Sequence, residues 1–263
     1  MTTIDTAVAV HPALTDAADA AISAWGAALR AHDRRALSEH VALGADGTPT
    51  SRMDELVERA VLDALDRHDV NVVSEEAGYL DRGADITVAI DPVDGTGNAV
   101  TGLPISAFTA AIAIDGRFTQ ALTRWFHTGE TWTADRDVPS RRRTSGRRSL
   151  DGALVSMIRP KADPESFLAI SRSADRVRVL GSTSLECAWV ADGALDAFCD
   201  PGSDTHRIVD LAAAVVLVEA AGGAVIDAYG RPVEFTTDIA GRWSGIAAAT
   251  PDLAAEIADL VQG

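Results

Sequence analysis

Lysine is nearly missing from this 263-residue chain: Lys161 is the only one, and every other strongly basic side chain is an arginine. With 39 acidic against 23 basic residues the formal charge is −16. Such a surface repels nucleic acid and anionic lipid unless a local patch overrides it. Long apolar runs are also absent. The run from Leu211 to Val218 stops at Glu219, far short of the roughly 18–20 residues that span a bilayer. The N-terminus is acidic and lacks the positive flank of a secretion signal. The expectation is a cytoplasmic protein with neither nucleic acid nor membrane as partner. Cys187 and Cys199 are the only cysteines, and their spacing fits neither a zinc motif nor a CxxC redox pair. Two reduced, buried thiols are expected. A GxGxxG dinucleotide loop is absent as well; the Gly95-Thr96-Gly97 turn follows two acids that would repel a pyrophosphate without a metal.

What is present is a globular composition, 47% hydrophobic, in a chain long enough for one large domain or two closely packed ones. The acidic surface reads as a solvating shell for a high-salt, halophilic cytoplasm, where repulsion is screened over about 3 Å at 1 M salt. Helical spacing runs through residues 13–42, at Leu14, Ala18, Ile22, Trp25 and Leu29. A turn-rich loop at 44–55 leads to a second helix, 54–67. Short strands follow at VNVVS and ITVAIDP, and the runs between 105 and 133 alternate like an antiparallel meander. The polar segment 137–149 divides the chain into an N-terminal half, 1–145, and a C-terminal half, 146–263. The second half alternates strands near 153–158, 176–182, 195–200, 224–228 and 245–249 with helices at 164–173, 185–192, 208–221 and 251–261. The fold class is therefore layered α/β.

The chemistry concentrates in IDPVDGTGN, residues 90–98. A strand ends in acid-proline-apolar-acid, and the proline removes a ladder donor and fixes φ. Asp91 and Asp94 then converge, leaving the Val93 carbonyl free to ligate. Neighbouring carboxylates repel unless a cation separates them or one is protonated. All-oxygen ligands without His or Cys favour Mg²⁺, or Mn²⁺, over zinc. A helical turn starting at Gly95 would present N–H groups to an anion. Asp-Pro and Asp-Gly are also common in plain surface turns. Three further acids bear on the choice: Glu75-Glu76 end another strand, and Asp210 starts the apolar helix LAAAVVLVEAAGG, where aspartate is also an ordinary cap.

These residues, taken in order, resemble the inositol monophosphatase superfamily of Mg²⁺-dependent phosphatases, above all the archaeal type acting on inositol monophosphate and fructose 1,6-bisphosphate. The likeness is carried by Gly47-Thr48-Pro49-Thr50-Ser51-Arg52-Met53-Asp54, Ser74-Glu75-Glu76, Asp91 through Asn98, and Val209-Asp210-Leu211-Ala212-Ala213-Ala214 with Glu219-Ala220-Ala221-Gly222-Gly223. The resemblance implies an αβαβα sandwich and a phosphomonoesterase using two to three Mg²⁺. It implies that Glu75, Asp91 and the Val93 carbonyl hold one ion, that Asp91, Asp94 and Asp210 hold a second, and that a third shares Glu75. Thr96 with Asp54 would orient and deprotonate the attacking water, and the Gly95 and Thr96 amides would hold the phosphate. Ser182 and Thr183, in Gly181-Ser182-Thr183-Ser184, and Asp200 would touch the sugar, and Arg207 would meet a second phosphate or form a surface ion pair. The partner implied is a small phosphate monoester, and the assembly a homodimer.

Departures from the family pattern are Gly97, Ala99, Val209 and Ala214; Ala99, where an aromatic is usual, suggests a wider substrate mouth. Arg141, Arg142, Arg143, Arg147 and Arg148 read as a solvated loop, paired with acids of another subunit, because no aromatics are interleaved. His127 and His206 lack ligand spacing and read as structural or solvent-facing, and Trp125, Trp132 and Trp189 as core. Alternative functions are a non-catalytic metabolite-binding relative, a 3′-phosphoadenosine 5′-phosphate phosphatase and an interaction protein using the arginine loop.

Overall fold

A computed structural model describes residues 8–161 and 164–263. The first half comprises α1 (Pro12–Ala31), α2 (Arg34–Leu37), β1 (His40–Leu43), β2 (Pro49–Ser51), α3 (Arg52–Leu65), β3 (Asn71–Ser74), β4 (Gly78–Leu80), β5 (Ile86–Asp94), α4 (Thr96–Thr101), β6 (Ala107–Ile114), β7 (Arg117–Trp125) and β8 (Thr131–Asp135). The second comprises β9 (Leu154–Met157), α5 (Glu165–Ser173), β10 (Arg176–Arg178), α6 (Thr183–Ala191), β11 (Ala197–Cys199), α7 (Ile208–Ala220), β12 (Ala224–Asp227), β13 (Gly245–Ala248) and α8 (Pro251–Gln262).

Strand order β4-β3-β5-β6-β7-β8 makes one sheet and β10-β9-β11-β13-β12 the other. Helices α1 and α3 cover the outer face of the first sheet, around Leu14, Met53, Val57 and Val61 against Val88, Ile90 and Phe108. Helices α5 and α8 cover the outer face of the second, with Ile170, Leu253 and Ile257 against Val155 and Ile246. Helices α6 and α7 lie between the sheets, where Leu185, Val190, Ile208 and Val216 meet Val73, Phe118, Trp132 and Ala247. This is the αβαβα sandwich, and it explains why α7 is apolar all round: a helix sandwiched on both sides has no wet face. No helix among the described residues is long and apolar enough to cross a membrane.

The long first helix expected over 13–42 is two helices and a strand. The chain turns extended at His32, and Asp33 then accepts the Ala36 N–H at 2.8 Å, starting the new turn α2. The stretch 44–55 is the tip of the β1–β2 hairpin followed by α3. The meander β6-β7-β8 is antiparallel, as its alternation predicts. Pro92 does not end its strand: β5 continues to Asp94, with Asp91 opposite Thr109 and Asp94 opposite Ala107. Three residues on one strand oppose two on its neighbour, so the missing proline N–H is absorbed in a bulge.

The arginine loop pairs within its own chain. Arg142 bonds Asp192 and lies 5.3 Å from the Trp132 ring, Arg147 reaches Asp196 at 3.2 Å, and Arg148 pairs with Asp252. Trp132 is fully buried, while Trp125 and Trp189 are half-buried and meet edge to face at 5.4 Å. Both cysteines are buried free thiols.

Candidate active site

The site begins with register. Strands β3 and β5 run parallel with Ser74 beside Ile90, so the next residues, Glu75 just past the end of β3 and Asp91 still within β5, come side by side. Asp210 reaches them from the first turn of α7. A carboxylate oxygen from each of Glu75, Asp91 and Asp210 lies within 4.8 Å of the others. Asp91 and Asp210 are buried, Asp91 at 4% exposure. Like charges this close, in a desolvated setting, hold protons above the usual carboxylate range. Burial, then the Asp210 charge, lifts Glu75 to about 8. Burial lifts Asp210 to about 6 against the pull of Arg207, and burial with Glu75, Asp94 and Asp210 pushes Asp91 up. A cation bound there would relieve this repulsion, and an all-carboxylate donor set suits a hard dication.

Asp94 stands beside this group with its oxygens already directed. Its Oδ2 accepts Ser182 Oγ at 2.5 Å, Ser184 N at 2.9 Å and Ser184 Oγ at 2.7 Å, and its Oδ1 accepts, among the described residues, only the Thr183 N–H at 3.2 Å. Oδ1 keeps the free lone pair. Ser182 is thus turned inward, 1% exposed, supporting Asp94 rather than facing a sugar. Its own N–H goes to Glu186, a residue the sequence reading passed over.

Thr96 Oγ1 lies 2.8 Å from Asp54 Oδ1 and 3.0 Å from the Val93 carbonyl. Asp54 is the third residue of α3 and the reciprocal partner of Ser51 in a capping box, Ser51 N donating to Asp54 Oδ2 at 3.2 Å and Asp54 N to Ser51 Oγ at 3.3 Å. Burial raises the Asp54 carboxyl, with the Ser51 and Thr96 hydrogen bonds opposing. Gly95 has φ +82°, and a Cβ there would meet the Ile105 carbonyl at 2.9 Å and the Gly181 carbonyl at 3.0 Å. Only glycine fits this approach. Asn98 ties α4 to the loop before α6 through its side-chain amide, which donates to the Ile105 and Leu180 carbonyls, both at 2.8 Å.

Three expectations are corrected. Asp200 is fully buried and its two oxygens accept the Ser203 and Thr205 N–H groups at 2.6 and 2.8 Å, so it shapes the turn before α7 rather than offering a carboxylate to a sugar. Arg207 is neither on the surface nor free for a second phosphate. Its guanidinium reaches Asp46 at 2.5 Å and Glu75 at 3.1 Å, with a side chain only 14% exposed. Ala99 is 2% exposed and packs in the outer core beside Val100, so its small size does not widen a substrate mouth. Val209 and Ala214 are likewise buried between the sheets.

Asp46, held also by Arg242 at 3.1 Å, was missed. So was Glu58, which accepts from Ser74 Oγ at 2.5 Å and fixes the end of β3. Neither lies in a recognisable motif; Asp46 sits in a plain GADG turn, and only the fold brings Arg207 and Arg242 to it.

The chain matches the inositol monophosphatase family over residues 10–263. It is 31% identical over 240 residues to the fructose-1,6-bisphosphatase/inositol-1-monophosphatase of Methanothermobacter thermautotrophicus, covering 82% of this chain and 84% of that one. The like-named protein of Archaeoglobus fulgidus is 34% identical over 204 residues, covering 73% and 75%. The crystal structure of an inositol monophosphatase-fructose 1,6 bisphosphatase superposes with a TM-score of 0.83 at 27% identity, covering 96% of this chain and all of that one. Sequence motifs, layer order and the converging acids agree, and the chain belongs to the inositol monophosphatase family.

Proposed function

We propose that the protein is a Mg²⁺-dependent phosphomonoesterase acting on a small polyol or sugar phosphate, with inositol 1-phosphate and fructose 1,6-bisphosphate the leading substrates. The observation that carries this is the convergence of Glu75, Asp91 and Asp210 within 4.8 Å. Glu75, Asp91 and the Val93 carbonyl would hold one ion, and Asp91, Asp94 Oδ1 and Asp210 a second; Glu75 could share a third. Bound there, the ions supply charge neutralisation and Lewis-acid activation for in-line water attack.

The chain's own groups do the rest. Water donates to Thr96 Oγ1 as the threonine proton passes to Asp54 Oδ1, 2.8 Å away, a transfer helped by the raised Asp54 carboxyl. The first N–H groups of α4, at Gly95 and Thr96, have no partner within the helix and face the phosphate oxygens. A metabolite sensor without turnover would have no use for the Thr96–Asp54 pair, which disfavours that alternative. The two halves, 1–145 and 146–263, act as subdomains that close the site between them, since Asp210 and the Asp94-binding loop come from the second. We further propose a homodimer and an enzyme suited to molar salt.

Phosphate release from inositol phosphates, fructose 1,6-bisphosphate and nucleotide phosphates, with and without Mg²⁺ and at low and molar KCl, tests this reading. Mg²⁺-dependent release that disappears in Asp91→Asn is expected. Release unaffected by chelation, or by Asp91→Asn, refutes it. Sedimentation equilibrium reads the oligomer, and higher activity at low than at molar KCl would remove the salt proposal.

A further inference from the structure

Arg207 stands just ahead of the first turn of α7, and its guanidinium faces the acids of the first half. Nη2 lies 3.1 Å from Glu75 Oε1. Asp46, at the tip of the β1–β2 hairpin, grips the same group: Nε donates to Asp46 Oδ2 at 2.6 Å, and Nη2 meets that oxygen at 2.5 Å. Nη2 also reaches Thr48 Oγ1 at 3.3 Å. The backbone N–H of Arg207 donates to Asp210 Oδ2 at 2.7 Å, so the residue is fixed at both ends.

Asp46 holds its side of the contact firmly. Its side chain is closed off from solvent, and its Oδ1 accepts the Thr48 N–H and hydroxyl at 2.8 and 2.7 Å. Arg242 is its other cation, at 3.1 Å. If Arg207 swung out to water, this enclosed carboxylate would lose its nearer partner, which is costly. A planar fork seated on Asp46 also keeps its direction as a flexible ammonium would not. Arg207 is therefore a permanent occupant of the site.

Among the described residues, Glu75 is the only one of the four candidate ligand acids in an ion pair. The two ions placed above each draw on two or more protein groups, whereas a third would have Glu75 alone. Mg²⁺ binds oxygen at about 2.0–2.1 Å, inside the 3.1 Å at which Nη2 already stands. Ion and guanidinium cannot both approach Oε1 from that side, and two cations so close in a partly desolvated site repel strongly.

We propose that Arg207 is a built-in third cation: it fills the place at Glu75 that a third Mg²⁺ would take, and the site holds two ions. This rests on the phosphatase reading above and fixes the ion count which that reading leaves open.

Crystals soaked in Mn²⁺ test it by counting, because anomalous scattering locates each ion without any turnover. Wild type shows two peaks among Glu75, Asp91, Asp94 and Asp210, with or without inorganic phosphate, and Arg207 stays on Glu75. Removing Arg207 alone would leave Asp46 short of a partner, so the pair is taken apart in steps. Asp46→Asn keeps the guanidinium and shows two peaks; Asp46→Asn combined with Arg207→Gln shows a third, on Glu75. Calorimetric titration with Mn²⁺ in molar KCl, which screens the acidic surface, returns the same counts. A third ion on Glu75 in wild type, or in Asp46→Asn alone, overturns this inference and leaves the phosphatase reading standing. So does a double variant that keeps the wild-type circular dichroism spectrum and still binds two. If the double variant does not fold, the wild-type count decides. No ion at these acids overturns both readings, and a single ion overturns this one.

Discussion

Thr96 has one proton and two acceptors, Asp54 Oδ1 at 2.8 Å and the Val93 carbonyl at 3.0 Å. In the proposed mechanism the shorter contact, to the group with the raised pKa, sets the direction of transfer. Thr96→Val keeps the shape and removes both the donor and the lone pair that receives the water. A fall in kcat of roughly 10²–10³-fold is expected, with KM and the circular dichroism spectrum near wild type. A kcat within a factor of about three would show that the hydroxyl is not on the proton path. At this scale the sequence was read best where a motif fixed both residue and place: Glu75, Asp91, Asp94 and Asp210 each stand where the motif order puts them. It was read worst for single polar residues without a motif. Asp200 and Arg207 both turned out to serve the backbone or other acids, because partners from distant segments decide what a lone charged side chain does.

Elements carry the candidate catalytic side chains as by-products of their own ends. Asp54 is the N3 residue of a capping box as well as the candidate base, so one geometry serves helix and chemistry. Ser51→Ala removes the cap and should cost about 1 kcal/mol in chemical denaturation, within a range of about 0.5–2. It should also lower kcat, because Asp54 loses a partner that holds it toward Thr96. Unchanged stability together with unchanged kcat would mean that the cap does not position the base. The bulge in β5 is the other element-level device. It shortens the partner strand's register by one residue, so that Asp91 and Asp94 both finish at the site although they are three apart. Proline in a central strand would ordinarily argue against the strand; here it produces the irregularity the site uses.

For the whole molecule, the buried acids and the buried histidine give opposite pH dependences. Glu75 is raised in the fold, to about 8, above its value of about 4.5 in the unfolded chain. The folded form therefore holds the proton more tightly, and without metal its stability falls as pH rises from 4.5 to 8. His206 is lowered, to about 3 from 6.5. The unfolded chain then takes up the proton first, so stability falls as pH drops from 6.5 towards 3, at up to about 1.4 kcal/mol per pH unit. Metal needs the carboxylates ionised, so Mg²⁺ removes the alkaline loss and leaves the acid one. The unfolding free energy in Mg²⁺ should exceed that in EDTA by more at pH 8 than at pH 6, the excess at either pH being about 2.7 kcal/mol where Mg²⁺ stands at 100 times its dissociation constant. An equal shift at both values would place the ions elsewhere.

The sequence by itself determined the layered α/β class, most element positions and the residues that converge, because those follow from local periodicity and from acids placed at strand and helix ends. It also carried the family through motifs whose order survives in one dimension. The tertiary structure alone decided the neighbours. Parallel pairing of β3 with β5 set Glu75 beside Asp91, the sandwiching of α7 brought Asp210 from the other half, and contacts between segments more than 150 residues apart gave Arg207 to Asp46. Such pairings depend on which surfaces pack together, and a side chain's partners across the fold leave no periodicity in the sequence.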